Sequence, residues 1–306
     1  MPDIPERPGR GFGMGWLPDY PDYRDYTPDS TEVPRRFKQM GIKPIKELMA
    51  QLKIKDAKKL PSKVGDLEGD FPPVETQGDL GSCTANAGVG ILEYYERRAF
   101  GKHLDASRLF LYKATRNLLG WTGDRGAFLR TTMGAMALFG VPPEEYWPYV
   151  TADFDKEPPA FCYSFAQNYQ ALLFFRLDPP GTTGKTLLDR IKLNLAGKLP
   201  SMFGFTVVSS MWDVGSDGNI PFPEEGDKVE GGHAVVAVGY DDVHTIKSKK
   251  TGQATKGALR IRNSWGANWG DKGYGWLPYE YVLKGLAEDW WSLIKNEWVD
   301  TKQFGL

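Results

Sequence analysis

The spacing of apolar residues predicts that the first half of the chain is helical. After the glycine-rich stretch at 77–81, Ile91, Leu92 and Tyr95 recur on one face of a helical repeat. We therefore predict a first long helix over 82–98, with Ser82 as its N-cap. The same pattern predicts helices over 107–119 and 129–139, the second of which stops at Gly140.

The second half changes to the composition of β-strands. Four segments rich in β-branched and aromatic residues are separated by Gly, Pro and Asp turns, at 171–177, 201–209, 234–240 and 258–263. One further helix is predicted over 187–195. Helices followed by strands indicate an α+β fold made of two halves with a cleft between them.

The N-terminal region has a different composition. Residues 1–35 are rich in Pro, Asp, Tyr and Gly, which predicts an extended arm with turns whose aromatic side chains need a surface to pack on. A short amphipathic helix is predicted over 44–52. We expect an N-terminal arm over 1–66 and one domain over 67–306, mainly helical over 67–165 and mainly β over 166–306.

Charge and composition exclude several classes of function. The 306 residues carry 38 basic and 39 acidic side chains, and this balance argues against nucleic acid or an anionic membrane as a partner. No apolar run approaches the ~18 residues of a membrane span, and no secretory signal is visible. The two cysteines do not suggest a disulfide framework. We expect a soluble protein of the cytoplasm, with export of a processed form left open.

Cys83 is the first candidate for chemistry. It follows the turn Gln-Gly-Asp-Leu-Gly-Ser at 77–82 and opens the first predicted helix. A thiol in the first turn of a helix lies at the positive end of the helix dipole, which favours the reactive thiolate. Taken alone, a lone cysteine is more often a small buried apolar residue.

Two later residues make a catalytic reading of Cys83 the better one. His233 enters an apolar strand from a Gly-Gly pair, and Asn263 precedes two Trp-Gly pairs. Each has a structural alternative, a capped strand edge for the histidine and a turn for the asparagine. A catalytic cysteine and histidine nevertheless lie far apart in sequence and meet only in the fold.

Three motifs together resemble the papain family of cysteine peptidases. They are Gln-Gly-x-x-Gly-Ser-Cys at 77–83, Gly-His-Ala-Val with a trailing Gly-Tyr at 232–240, and Asn-Ser-Trp-Gly-x-x-Trp-Gly-x-x-Gly-Tyr at 263–274. They occur in the family's order, and the resemblance covers about residues 68–306. It implies a helical left half, a β-rich right half and an active-site cleft between them.

The resemblance also implies roles for individual residues. Cys83 is the nucleophile, His233 its base and then acid, and Asn263 orients the imidazole through its side-chain oxygen. Gln77 donates its amide to the oxyanion beside the Cys83 N–H, and Trp265 covers the contact between His233 and Asn263. No metal or cofactor is implied, and the partner is a peptide or protein substrate.

The same comparison suggests where the substrate lies. Gly126 occupies the place of a glycine pair that binds the substrate backbone, with Ala127 in place of the second glycine. Ala234, Trp265 and the loop around Trp212 are expected pocket walls.

Some positions depart from the family pattern. Leu80 replaces a disulfide cysteine and Thr84 replaces the usual tryptophan. Residues 243–256 are expected to form an extended hairpin in which His244 is a solvated loop residue.

The arm stands where the family carries an inhibitory propeptide, yet the usual helical propeptide signature is absent. We expect the arm to occupy the cleft in cis and partly occlude it; the alternative is a permanent part of the enzyme. Two other functions stay open: a silent peptidase scaffold used for protein binding, and acyl transfer or another amide hydrolysis on the same triad. A calcium-like pattern at 213–224 is disfavoured because Gly215 and two prolines break it.

Overall fold

The computed structural model describes residues 12–31, 60–101, 103–169 and 173–294. Its helices are α1 Cys83–Phe100, α2 Arg108–Leu118, α3 Leu129–Leu138, α4 Ala160–Ala166, α5 Gly184–Ala196 and α6 Tyr279–Leu283. Its strands are β1 Lys63–Val64, β2 Leu173–Arg176, β3 Ser201–Val208, β4 Val229–Lys247, β5 Ala254–Arg262, β6 Tyr274–Pro278 and β7 Ala287–Ile294. The α+β class and the order of helices before strands are confirmed.

The described strands form one antiparallel sheet. The order is β2-β7-β3-β4-β5-β6, and β1 adds a short pairing to β4. The long strands β4 and β5 continue past the body of the sheet, where Thr245 pairs with Lys256 and Lys247 pairs with Ala254. This extension is the hairpin that the sequence predicted.

His244 does not lie in a solvated loop, so that expectation was wrong. It belongs to β4 and is half-buried, and its Nε2 lies 2.7 Å from Asn219 Oδ1. Its ring stacks on Trp276 with a centroid separation of 4.4 Å. Trp276 of β6 therefore covers the His244 ring, a contact that the local sequence did not predict.

Helix α1 packs against the sheet through its fully buried first turns. Side chains of β3 and β7 add to this core. Phe203 of β3 stacks on Trp290 of β7, with ring centroids 3.8 Å apart. In this arrangement the N-terminus of α1, which begins at Cys83, lies in the same core as the β4 segment around Ala234. The fold thus packs the helix that begins at Cys83 against the strand that carries His233.

The helix expected over 44–52 lies outside the described residues. The boundary of the arm at residue 66 stays a prediction, although Lys63 and Val64 already pair with β4. Within the described residues, no helix is both long and apolar enough to cross a membrane. The cytoplasmic location stays a prediction.

A buried carboxylate lies in the middle of α1. Glu93 is 1% exposed, and its Oε1 accepts a hydrogen bond of 2.9 Å from the Ala106 N–H. Carboxylate oxygens of Glu75, Glu93 and Asp105 lie within 4.8 Å of one another. Burial raises the pKa of Glu93 to about 8, although the Ala106 N–H and the Arg262 charge act in the opposite direction.

This shift predicts a pH dependence of stability. Between pH about 4.5 and about 8 the native state holds a proton on Glu93 that the unfolded state has released, so the free energy of unfolding falls as pH rises. Each pH unit contributes up to about 1.4 kcal/mol. Relative to Glu93→Gln, the wild type should therefore lose a few kcal/mol across this window, as measured by urea unfolding at several pH values. Glu145→Gln, at an exposed site, is the matched control; parallel pH curves for wild type and Glu93→Gln would contradict the prediction.

Candidate active site

Cys83 is the first residue of α1, and its side chain is fully buried. Ser82 occupies the N-cap position, but its side chain makes no capping hydrogen bond, which corrects the expected role. Its hydroxyl instead lies 2.6 Å from the Tyr149 hydroxyl and accepts a 3.0 Å hydrogen bond from Asn86 Nδ2. Ser82 therefore links the N-terminus of α1 to the loop that contains Tyr149.

His233 and Asn263 come together because β4 and β5 are neighbouring antiparallel strands. Val236 pairs with Arg262, so the residue after β5 lies beside the β4 segment that contains His233. The His233 Nε2 and Asn263 Oδ1 atoms are 2.7 Å apart, and both residues are buried. Trp265 stacks on the imidazole with ring centroids 4.4 Å apart, as the sequence predicted for a covering indole.

The environment of His233 sets its charge. Its fully buried position lowers the pKa to about 4, while the Asn263 side chain acts in the opposite direction. At neutral pH the imidazole is therefore uncharged in this conformation. Its Nδ1 has no hydrogen-bond partner among the described residues, so one ring nitrogen is held by Asn263 and the other is left for a reacting group.

Gln77 is held so that its amide nitrogen faces a carbonyl group. Its Oε1 accepts a 2.5 Å hydrogen bond from the Ser264 hydroxyl, and its backbone N–H donates to Ser264 O at 2.8 Å. Its Nε2 donates to Leu80 O at 2.7 Å and to Gly13 O at 3.0 Å. Ser264 thus fixes the orientation of the amide, a role that sequence reasoning missed although this serine lies inside the quoted Asn-Ser-Trp motif.

The second partner of Gln77 belongs to the N-terminal arm. Gly13 O accepts a further hydrogen bond of 3.2 Å from Trp265 Nε1, and Gly13 N–H donates to Gly78 O at 2.8 Å. Beside it, the Phe12 ring stacks on Trp265 and Trp212 at centroid separations of 5.1 and 6.2 Å. A peptide carbonyl of the arm therefore binds the amide that the resemblance assigns to the oxyanion, and the Trp212 ring borders the arm at Phe12.

Ala127 binds the next part of the arm through its backbone. Its N–H donates to Gly15 O at 2.8 Å, and its C=O accepts from Leu17 N–H at 3.1 Å, in a parallel bridge with Trp16. Gly126 has a φ of 76°, and a Cβ there would lie 2.1 Å from Gly15 O. Both predicted substrate-binding residues thus lie where an extended peptide backbone is bound.

Trp16 fills a pocket between the two halves. A Cβ on Gly204 would lie 1.8 Å from the Trp16 indole, and Trp16 N–H donates to Gly232 O at 3.2 Å. At the far end, Trp16 Nε1 donates to Asp289 Oδ2 at 3.1 Å. Ala234, a predicted pocket wall, is buried in the β3–β4 ladder opposite Gly204.

An ionic contact fastens the arm further along. Arg130 of α3 pairs with Asp19 and, at 2.8 Å, with Asp25, and its guanidinium also donates to Tyr20 O at 2.7 Å. The sequence predicted a surface for the arm, but it did not identify Trp16, Asp289 or Arg130. In the sequence, the signal for these contacts is the run Gly-Met-Gly-Trp at 13–16, whose two glycines allow the backbone of the arm to approach the domain closely.

Comparisons of the sequence with known proteins all point to the same family of cysteine peptidases. A family model described as papain family cysteine protease matches residues 61–299. The chain is 33% identical over 281 residues to an uncharacterized peptidase C1-like protein of Acanthamoeba polyphaga mimivirus, covering 87% of this chain and 84% of that protein. It is 29% identical over 217 residues to cathepsin K of Gallus gallus, covering 68% of this chain and 55% of that protein.

Solved structures agree with this result. Xylellain, a cysteine protease from Xylella fastidiosa, superposes with a TM-score of 0.71 at 32% identity, covering 95% of this chain and 98% of that one. The ragweed pollen cysteine protease Amb a 11 in its proform gives a TM-score of 0.59 at 22% identity, covering 89% and 76%. The second likeness concerns the fold alone.

Proposed function

The chain belongs to the papain family of cysteine proteases and is a cysteine-type peptidase, and we propose that it hydrolyses peptide bonds through Cys83, His233 and Asn263. The observation that carries the proposal is the position of Gly13 O. This peptide carbonyl accepts a hydrogen bond from the Gln77 amide, and Gln77 lies in the turn that leads into α1 at Cys83. A peptide carbonyl bound to this amide supports the proposal, because a carbonyl is the group that a peptidase must polarise.

The proposed chemistry follows from the positions of the side chains. The Cys83 sulfur attacks the substrate carbonyl carbon, and its proton passes to His233 Nδ1. The carbonyl oxygen gains negative charge, which Gln77 Nε2 and the Cys83 backbone N–H stabilise, each by about 3–4 kcal/mol. His233 then donates the proton to the departing amine, leaving a thioester that water hydrolyses with His233 as base.

Asn263 and Ser264 act as positioning residues in this mechanism. Asn263 Oδ1 lies 2.7 Å from His233 Nε2, so it favours the tautomer with hydrogen on that nitrogen and leaves Nδ1 able to accept the thiol proton. Ser264 holds Gln77 Oε1, so the amide N–H groups stay aimed at the oxyanion position. Both contacts are buried and reduce the reorganisation required during the reaction.

We further propose that the arm regulates access to this site in cis. Residues 12–17 occupy the candidate oxyanion position, the backbone-binding residue Ala127 and the Trp16 pocket at the same time. While they are bound, a substrate cannot use these groups. Their departure would also rehydrate His233, so its pKa would rise from the value near 4 that burial imposes.

Labelling with a thiol-directed epoxide peptide tests the proposed nucleophile. In the full chain carrying Trp16→Ala, which loosens the arm, we expect intact-mass analysis to show a single adduct and peptide mapping to assign it to Cys83, because that thiol opens α1 in the proposed site. Cys162 provides a built-in control, since it is buried and its pKa is raised by burial. An adduct on Cys162 alone, or none after the arm has been displaced, would contradict the proposal and favour a silent scaffold.

Acyl transfer is the remaining alternative on the same residues. It shares the thioester and differs in the acceptor, an amine in place of water. Adding an amine such as glycinamide to the peptide assay separates the two reactions. A hydrolase gives mainly the free acid at millimolar amine, whereas an acyl transferase gives mainly the amide.

A further inference from the structure

The pocket that holds Trp16 carries a polar group at its closed end. Asp289 lies on β7 and is fully buried, with its backbone at a φ of 60°. This conformation is uncommon for a residue other than glycine, asparagine or aspartate. A hydrogen bond of 2.8 Å from the Asp289 N–H to Asp178 Oδ2 holds the backbone in this conformation.

The two oxygens of Asp289 have different surroundings. Oδ1 accepts a 2.8 Å hydrogen bond from Trp291 Nε1 and lies 3.1 Å from the Arg176 guanidinium. Oδ2 accepts the 3.1 Å hydrogen bond from the Trp16 indole. The protein itself therefore satisfies one oxygen, and the occupant of the pocket satisfies the other.

The remaining walls select for size and shape. Gly204 and Gly232 leave room for the flat indole, because a Cβ on either would lie 1.8 Å or 2.8 Å from its ring atoms. Ala127 and Trp16 are both buried, and their backbones pair in a parallel bridge. A buried acceptor left without a donor carries a free-energy penalty, so an aromatic ring without an N–H binds less well than one that has it.

The arm also indicates which substrate side chain enters this pocket. Trp16 stands opposite the backbone-binding residue Ala127, because the Ala127 N–H donates to Gly15 O on one side of it and the Ala127 C=O accepts from the Leu17 N–H on the other. A substrate whose backbone pairs with Ala127 would place one side chain in the pocket that Trp16 fills here. The arm therefore fills the pocket as a substrate residue would.

We propose that Asp289 makes this peptidase selective for substrates that place a tryptophan side chain opposite Ala127, by accepting the indole N–H on Oδ2. Selective cleavage rests on the proposed function. The preference of the pocket for a tryptophan side chain, however, can be measured by binding alone. Arg176 pairs with Asp289 at 3.1 Å and with Asp178 at 2.9 Å, and the donor that Oδ2 accepts from in this structure is neutral, the Trp16 indole N–H.

The test uses the full chain with Cys83→Ala and Trp16→Ala, so that no turnover occurs and the pocket is empty. Peptides of the form acetyl-Leu-X-Gly-Phe-amide are titrated by calorimetry at pH 8, since burial raises the pKa of Asp289 to about 7. X is tryptophan, phenylalanine, arginine or benzothienylalanine, which has the shape of tryptophan with sulfur in place of the N–H. Residual competition from the arm lowers all affinities by the same factor.

We expect tryptophan to bind about tenfold or more tightly than benzothienylalanine, as for a hydrogen bond to a charged group. Adding Asp289→Gly, the residue that a φ of 60° favours, should bring this ratio to about one while phenylalanine binding persists. Equal affinities, tighter binding of arginine, a ratio insensitive to Asp289→Gly, or no peptide binding would overturn the proposal. Selective binding without Cys83-dependent turnover in the single variant Trp16→Ala would instead overturn the proposed function alone.

Discussion

Replacing Cys83 by alanine should abolish peptide hydrolysis. We expect kcat to fall by about 10⁴–10⁶, because removing the nucleophile of a catalytic triad leaves only binding and oxyanion stabilisation. The measurement is the release of a fluorescent amine from a short peptide substrate by the full chain carrying Trp16→Ala, with and without Cys83→Ala. The side chain at 83 is small and buried, so the substitution should leave the fold intact.

Cys162→Ala is the matched control for this experiment. Cys162 is the other cysteine of the chain, is equally buried, and lies on α4 with its Sγ 3.6 Å from Tyr146 O. Its loss should leave kcat within about twofold, as expected for a site away from the chemistry. Comparable losses in both variants would indicate a general effect of thiol removal and not a nucleophile at Cys83.

Replacing Trp16 by alanine should activate the full-length protein. Trp16 is 5% exposed, and truncating a buried tryptophan costs about 3–5 kcal/mol. In an equilibrium between docked and released arm, such a loss raises the ratio of released to docked arm by about 10² to several thousandfold. We expect kcat/KM for a small peptide to rise by about a hundredfold or until release is complete, measured beside the wild type at equal concentration.

Tyr23→Ala is the control within the same arm. Tyr23 is 94% exposed, so its truncation removes an aromatic ring without removing a buried contact. Activity should then match that of the wild type. If Trp16→Ala and the wild type hydrolysed peptides equally well, the arm would be an accessory to the fold and not an inhibitor of it.

The sequence was sufficient for the parts of the site that local motifs encode. The turn before Cys83, the Gly-His pair and the Asn-Ser-Trp run fix backbone geometry over a few residues, so their positions on α1, β4 and the end of β5 could be predicted. The contact between His233 and Asn263 followed from the resemblance. Catalytic roles for these residues stay predictions until the variants are measured.

The contacts of the arm could not be predicted in the same way. Trp16 and Asp289 are 273 positions apart, and neither lies in a periodic pattern that would pair them. Ser82 also shows the limit of local rules, because its hydroxyl prefers Tyr149, a residue brought close only by tertiary packing. Composition indicated that the aromatic arm needs a surface; which surface depended on long-range packing.

The location of the arm on the same polypeptide as the cleft has a consequence for its strength as an inhibitor. A tethered segment acts at a local concentration that is commonly in the millimolar range, whatever the concentration of the protein. Dilution therefore will not release Gly13 from Gln77, and a free peptide covering residues 12–17 should inhibit far more weakly than the attached arm. Substrates compete best when they are long enough to occupy both the Trp16 pocket and the Trp212 wall at once.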